Sequence, residues 1–194
     1  MDDSLIQRAY TKFDAANGQD PNQINVSGEI RPKELVFAER LTEEVRALNP
    51  DASLPLLLAA RCQHICRWEI PRTSEPMGRV GYLKWRAELK KYHAAKAGEI
   101  LHEVRTPEEI IERVQSLNLK KNMKADPDCQ TLEDALCLVF LKYQFDALIE
   151  STGEPKMLRI VKKTWAKMSP NGHKFAAQID YSEQAAAVLK MALD

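Results

Sequence analysis

This chain has little glycine, little cysteine and no excess of charge of either sign. Seven glycines in 194 residues are few for a protein built from strands and tight turns. The four cysteines are not densely spaced, so they predict no disulfide framework and favour a reducing compartment. Lysine and arginine together number 28, as do aspartate and glutamate, so no overall field attracts nucleic acid or an anionic membrane.

Long apolar runs are also absent from the sequence. The longest is far shorter than the roughly 20 residues that a membrane-spanning helix needs. Two aspartates follow Met1, which is not the pattern of a secretory signal peptide. We therefore expect a cytoplasmic protein that has no membrane partner and does not bind nucleic acid.

Apolar residues recur at helical spacing along almost the whole chain. Asn17-Gly18 is typical of a helix end, Pro32 and Thr106-Pro107 are typical of helix starts, and Thr131 begins a second capping box. The pattern predicts helices over residues 4–17, 32–49, 53–67, 78–104, 106–119, 131–150, 155–168 and 173–192, with a loop over 18–31. Because 194 residues suit one domain, we expect a single all-α helical bundle over residues 1–194.

The most informative stretch is an apolar run from Leu54 that ends in a group of polar side chains. That group contains His64, Arg67, Trp68, Glu69 and Arg72. An imidazole, a carboxylate and two guanidinium groups are sufficient to bind a metal or an anion. The alternative is a core helix whose terminal charges interact with its dipole and with solvent.

Four residues carry metal-binding groups on or near apolar helix faces. His64 shares a face with Leu57 and Ala60, and His93 lies on a stripe with Leu89. The other two are Asp134 and Glu39. Imidazoles and carboxylates from separate helices can converge on one cation in a helical core. The alternatives are hydrogen-bonded core histidines, a capping role for Asp134 and a solvated helix position for Glu39.

The cysteines add nothing to such a site. Cys62 and Cys66 share a face of a continuous helix, whereas His64 points about 200° away from them. Small core residues are the better interpretation of both thiols.

The order of these segments resembles the helical His-Asp (HD) phosphohydrolase superfamily. The similar segments are FAERLTEEV, LLLAARCQHICRW, KYHAAKAGEIL and LEDALCLVFL, within residues 33–145. The resemblance implies an HD-like bundle with His64 as the motif histidine and Asp134 as the distal ligand. It also implies an additional ligand role for His93, and Glu39 falls near the place of the first histidine. Ile65 stands where that superfamily has its motif aspartate.

A longer resemblance links nearly the whole chain to the uncharacterised family called domain of unknown function 4202. The similar segments are FDAANGQDPN, AARCQHICRWEIPR, GYLKWRAELKKYHAAKAGEIL, QTLEDALCLVFL and KTWAKMSPNGH. This resemblance implies no particular activity.

Basic and aromatic side chains near the two histidines indicate what a site there would bind. Arg67, Arg72, Arg86 and Lys90 suit phosphate or carboxylate groups, and Trp68 offers a stacking surface. The alternative is that these cations are solvated at the surface.

The sequence thus predicts a metal-dependent hydrolase that acts on a phosphorylated small molecule or nucleotide. A divalent Zn, Mn or Fe ion would polarise the phosphoryl oxygen, and Glu69 or Asp134 would serve as the general base. The alternative is a catalytically silent ligand-binding or protein-interaction module on the same scaffold. Ile65 favours the silent module, and the clustered charges favour chemistry.

Overall fold

The computed structural model describes residues 3–120 and 125–194 and confirms the all-α class. Its helices are α1 (Asp3–Asn17), α2 (Lys33–Leu48), α3 (Leu54–Cys62), α4 (Arg79–Glu103), α5 (Glu108–Leu119), α6 (Pro127–Tyr143), α7 (Phe145–Ser151), α8 (Glu154–Trp165), α9 (Pro170–Ala176) and α10 (Glu183–Leu193). Short 3-10 turns cover Arg67–Glu69 and Arg72–Ser74. No helix of the described ranges is both long and apolar enough to cross a membrane.

A β-hairpin lies in the segment that was predicted to be a loop. Strands β1 (Gln23–Val26) and β2 (Glu29–Pro32) pair antiparallel, with Val26 opposite Glu29. The turn is Ser27-Gly28, in which both residues have positive φ, as a two-residue hairpin turn requires. The strands are four residues long and mostly exposed, so they leave almost no period-two apolar pattern in the sequence.

Helix α3 ends at Cys62, five residues before the predicted end. The chain turns here because Cys66 adopts a left-handed conformation with φ of 49°. The side chain of Asn17, which is fully buried at the end of α1, accepts a hydrogen bond from the Cys66 N–H at 3.0 Å. This contact fixes the turn that carries His64.

Helix α6 begins at Pro127, four residues before the predicted start at Thr131. The reason is that Asp126 caps it, accepting hydrogen bonds from the backbone N–H groups of Asp128 and Cys129. The predicted capping box at Thr131 is therefore wrong. The predicted continuation to residue 150 is interrupted at Gln144, after which α7 begins.

Two apolar cores hold the helices together, and α6 contributes to both. The first core lies among α1, α3, α4 and α5, and it receives Leu132, Ala135 and Val139 from α6. The second core, among α7, α8, α9 and α10, receives Leu138 and Leu141. Helix α6 is thus buried on two faces, and the organisation of residues 1–194 as one domain stays a prediction.

Gly172 on α9 provides a test of this packing. A Cβ atom there would lie 2.7 Å from Cγ of Asp134, whose side chain is buried against α9. We expect Gly172→Ala to lower the free energy of unfolding by about 1–3 kcal/mol through overpacking, measured by chemical denaturation. Gly153→Ala is the control, because a Cβ atom at Gly153 meets nothing within 4 Å. Equal stability of the two variants would contradict the described contact of α9 with α6.

Candidate functional site

Two histidines from different parts of the chain face each other across the first core. His64 lies in the turn after α3, and His93 lies on α4. Their ring centroids are 5.7 Å apart. The sequence predicted that both side chains point inward and approach each other, and the structure brings them together.

His64 is held in place by two residues from the first turns of α2. Its ring stacks on Phe37 with centroids 4.0 Å apart and planes 10° apart, and its Nδ1 lies 3.3 Å from a carboxylate oxygen of Glu34. The other ring nitrogen, Nε2, lies 3.3 Å from a guanidinium nitrogen of Arg67. Because guanidinium can only donate, this geometry assigns the proton of neutral His64 to Nδ1. Desolvation, with the charges of Arg67 and Arg86 next, lowers the pKa of His64 well below its usual value.

Glu34 is a buried carboxyl group whose environment disfavours its charge. Burial raises its pKa to about 7, since the desolvation outweighs the opposing attraction of Arg67. Asp20, itself buried, accepts a hydrogen bond from the Glu34 N–H at 2.9 Å and raises that pKa further. A carboxyl group that titrates near neutral pH beside an imidazole is typical of a site for proton transfer.

His93 is buried and has one ring nitrogen without a partner. Its exposure is 3%, it makes a backbone hydrogen bond with Gln63, and its Nε2 has no hydrogen-bond partner among the described residues. Burial, with the charges of the neighbouring His64 and Arg67 next, lowers its pKa to about 3. A buried polar atom without a partner costs about 1–3 kcal/mol, so this nitrogen is available to a ligand at that place.

Both histidines line a cavity of about 300 Å³ whose wall is strongly basic. Among the described residues, five cationic side chains border it against a single carboxylate, Glu133. The cations are Arg67, Arg86, Lys90, Lys120 and Lys167.

The charges of this wall are only partly compensated. Glu133, which is buried, pairs with Lys120 and lies 3.3 Å from Lys167. Arg86 and Lys90 have no ion pair within the described ranges. Burial and then the charges of Lys120 and Arg86 lower the pKa of Lys90. A cavity wall with unpaired cations concentrates positive potential and favours an anion.

Three of the predicted anion-binding residues border this cavity, and two do not. Arg67, Arg86 and Lys90 line it. The guanidinium of Arg72 instead donates to the backbone carbonyls of Glu75 and Pro76, at 2.8 and 3.0 Å, and so holds the loop before α4. Trp68 packs against the first apolar core rather than against the cavity.

Asp134 does not lie in the cavity wall, although it was predicted to be a metal ligand and a general base. Its carboxylate accepts hydrogen bonds from the N–H and the hydroxyl of Ser169, at 2.8 and 2.5 Å, and from Gln130 at 3.0 Å. It is buried against the start of α9, where its hydrogen bonds are to structural partners. The acid that lines the cavity is its neighbour Glu133.

Glu39 and Glu69 also lie outside the cavity wall. Glu39 pairs with Arg31 at 2.8 Å and is 4.0 Å from Arg61. Glu69 is exposed and accepts a hydrogen bond from the hydroxyl of Tyr92 at 2.5 Å.

The four predicted metal ligands are therefore not brought together. Of His64, His93, Asp134 and Glu39, only the two histidines face each other. Across residues 3–120 and 125–194, no three histidine, cysteine, aspartate or glutamate side chains are grouped closely enough to hold a metal ion. The predicted ligand set does not fit a divalent metal, and the metal stays a prediction.

Sequence reasoning missed Glu34, Lys120, Glu133 and Lys167. The sequence does contain a pattern that indicates Glu133. It shares one helical stripe with Cys137, Phe140 and Gln144, and all three of these residues border the cavity. Lys120 follows the end of α5 and Lys167 follows the end of α8, and neither lies on a periodic pattern.

The family profile described as Domain of unknown function (DUF4202) matches residues 7–189. The chain belongs to this family. No curated protein and no solved structure matches it. The match spans α2, the turn after α3, α4 and α6, so the whole cavity wall lies within the family's region.

The low pKa of His93 gives a pH dependence of stability. The unfolded chain binds a proton at this residue near pH 6.5 and the folded chain only near pH 3, so stability is lost as the pH falls below 6.5. As the pH falls from about 7.5 to about 5, we expect the protonation of His93 to lower the free energy of unfolding by about 2 kcal/mol. Glu34 acts in the opposite direction, because its raised pKa favours the folded state at lower pH.

The contribution of His93 is isolated by comparing variants. In His93→Gln the loss of stability on acidification should be smaller than in the wild type, measured by urea unfolding at both pH values. His102→Gln, at an exposed histidine of the same helix, is the matched control and should behave as the wild type. An unchanged pH dependence in His93→Gln would contradict the buried neutral state.

Proposed function

We propose that this protein binds a phosphorylated small molecule or nucleotide in the basic cavity between α4 and α6. The observation that carries the proposal is the composition of the wall, in which five cations surround one carboxylate. Guanidinium and ammonium groups are the side chains that bind phosphate most strongly in proteins.

Different side chains of the cavity wall would bind different oxygens of a phosphate group. Arg86 and Lys90 have no counter-ion among the described residues, so they are free to pair with phosphate oxygens. His93 Nε2, buried and without a partner among the described residues, would donate a hydrogen bond once the ring is protonated. The charge of the phosphate would raise the pKa of both histidines, since it opposes the repulsion from the surrounding cations.

Arg86→Gln tests the proposal directly. Loss of a charge-assisted hydrogen bond should weaken the binding of inorganic phosphate about tenfold or more, measured by isothermal titration calorimetry. Because Arg86 pairs with no described carboxylate, the melting temperature without phosphate should hardly change.

Arg79→Gln is the matched control, because Arg79 is exposed at the start of the same helix and does not line the cavity. It should bind phosphate as the wild type does. A wild type whose melting temperature does not respond to millimolar phosphate or nucleotide would refute the anion site. Equal weakening in both variants would attribute binding to net charge rather than to the cavity.

A second candidate function is hydrolysis of the bound phosphate ester, and the pairing of Glu34 with His64 favours it. Glu34 accepts from Nδ1 of His64 and orients the ring, so that Nε2 can take a proton once a phosphate draws Arg67 away. A water oxygen would then bond to phosphorus, the ester bond would break, and the leaving oxygen would be reprotonated. The metal-dependent form of this reaction needs ligands beyond His64 and His93.

Phosphate release separates the hydrolase from the silent binding module. We expect the protein to release phosphate from a panel of sugar phosphates and nucleotides. The assay is run with and without added Zn, Mn or Fe, and mass spectrometry measures the metal content of the protein. His64→Gln should still bind phosphate yet lose release by about 100-fold, the scale of a general base. Binding without release under every condition would leave the ligand-binding module as the function.

A further inference from the structure

A second cavity of about 480 Å³ opens beside the basic one. The two share a wall formed by Phe37, His64, Arg67 and Gln144. A ligand bound against the histidine pair therefore lies beside the second cavity, because the same four residues border both.

The second cavity differs in chemistry from the first. Beyond the shared wall, α6 and α7 line it with Val139, Ala147 and Leu148, and with the ring of Tyr143. Arg40 also lines it, but its guanidinium lies over the Tyr143 ring, 3.9 Å from the centroid. Lys33 and the buried carboxyl group of Glu34 also line it, so the wall combines aliphatic surface and flat stacking surface with a few charged groups.

Aromatic surface also stands at the junction of the two cavities. The ring of Phe37 is stacked on His64, and both rings border both cavities, so the junction presents aromatic surface. Stacking contacts contribute about 0.5–1.5 kcal/mol beyond the area they bury.

We propose that the ligand is a phosphate monoester that carries an aromatic ring (a ring-bearing ester), with its phosphate in the basic cavity and its uncharged ring in the second cavity. This inference rests on the proposed function, because the phosphate fixes the position of the ring. It assigns Tyr143 and Leu148 to the binding of the ring. Ligands of such size occupy cavities of roughly 300–1,000 Å³, whereas a phosphate ion needs only a small part of that volume.

Polar groups in the second cavity suit the edges of such a ring. Ser151 donates its hydroxyl to the backbone carbonyl of Ala147 at 3.0 Å, which leaves its oxygen free to accept. Gln144, in the shared wall, offers both an amide donor and an acceptor. A heteroaromatic ring with donors and acceptors at its edge would meet both.

The test compares four probes by calorimetry: adenosine monophosphate, phenyl phosphate, ribose 5-phosphate and inorganic phosphate. We expect the two ring-bearing esters to bind the wild type about tenfold more tightly than the other two, a difference of about 1.4 kcal/mol. Ala147→Phe should abolish that difference, because the new ring fills the second cavity from an exposed position of α7. Its affinity for inorganic phosphate should not change.

Ala187→Phe is the matched control, since Ala187 is an exposed alanine on α10 outside both cavities. It should keep the preference for ring-bearing esters. If phosphate binds but the ring-bearing esters bind no tighter than ribose 5-phosphate, this inference is overturned while the anion site stands. Loss of the preference in both variants would overturn it too. If none of the four probes binds, the anion site itself has failed.

Discussion

The packing of α6 between two apolar cores is the constraint on which the rest of the structure depends. Leu132, Ala135 and Val139 point into the first core, and Leu138 and Leu141 into the second. Because two faces of α6 are buried in these cores, the direction of its remaining stripe is fixed. That stripe carries Glu133 and Phe140 into the basic cavity, so core packing sets the position of the one carboxylate that the described part of the chain contributes to its wall.

The site places neutral imidazoles among positive charges, which is unfavourable for folding and favourable for binding an anion. Burial and the neighbouring cations lower the pKa values of His64 and His93, and burial raises that of Glu34. A phosphate would offset the repulsion among Arg86, Lys90 and Lys120 and would satisfy the free nitrogen of His93. Binding energy would thus come partly from the relief of the repulsion among these cations, as is common for functional sites.

Much of the fold could be predicted from the sequence, and part of the site. Residues 4–17, 32–49 and 78–104 were predicted as helices close to the observed bounds, because long apolar stripes dominate those segments. The early end of α3 could not be predicted, since it depends on the distant Asn17, which hydrogen-bonds Cys66. The hairpin of β1 and β2 was missed because its exposed strands bury few side chains.

The sequence by itself determined that the chain is helical and that His93 points inward, because both follow from the spacing of apolar residues along helices. It also predicted an inward His64, but that residue lies in the turn after α3, where contacts with Asn17 and α2 set its position. Only the tertiary structure decided which acid accompanies the two histidines. Asp134 and Glu133 are adjacent and differ by about 100° around α6, and local periodicity does not say which face a neighbouring helix covers. Helix α9 covers Asp134, whose carboxylate accepts hydrogen bonds from Ser169. Glu133 is therefore the acid that faces Lys120 and the cavity.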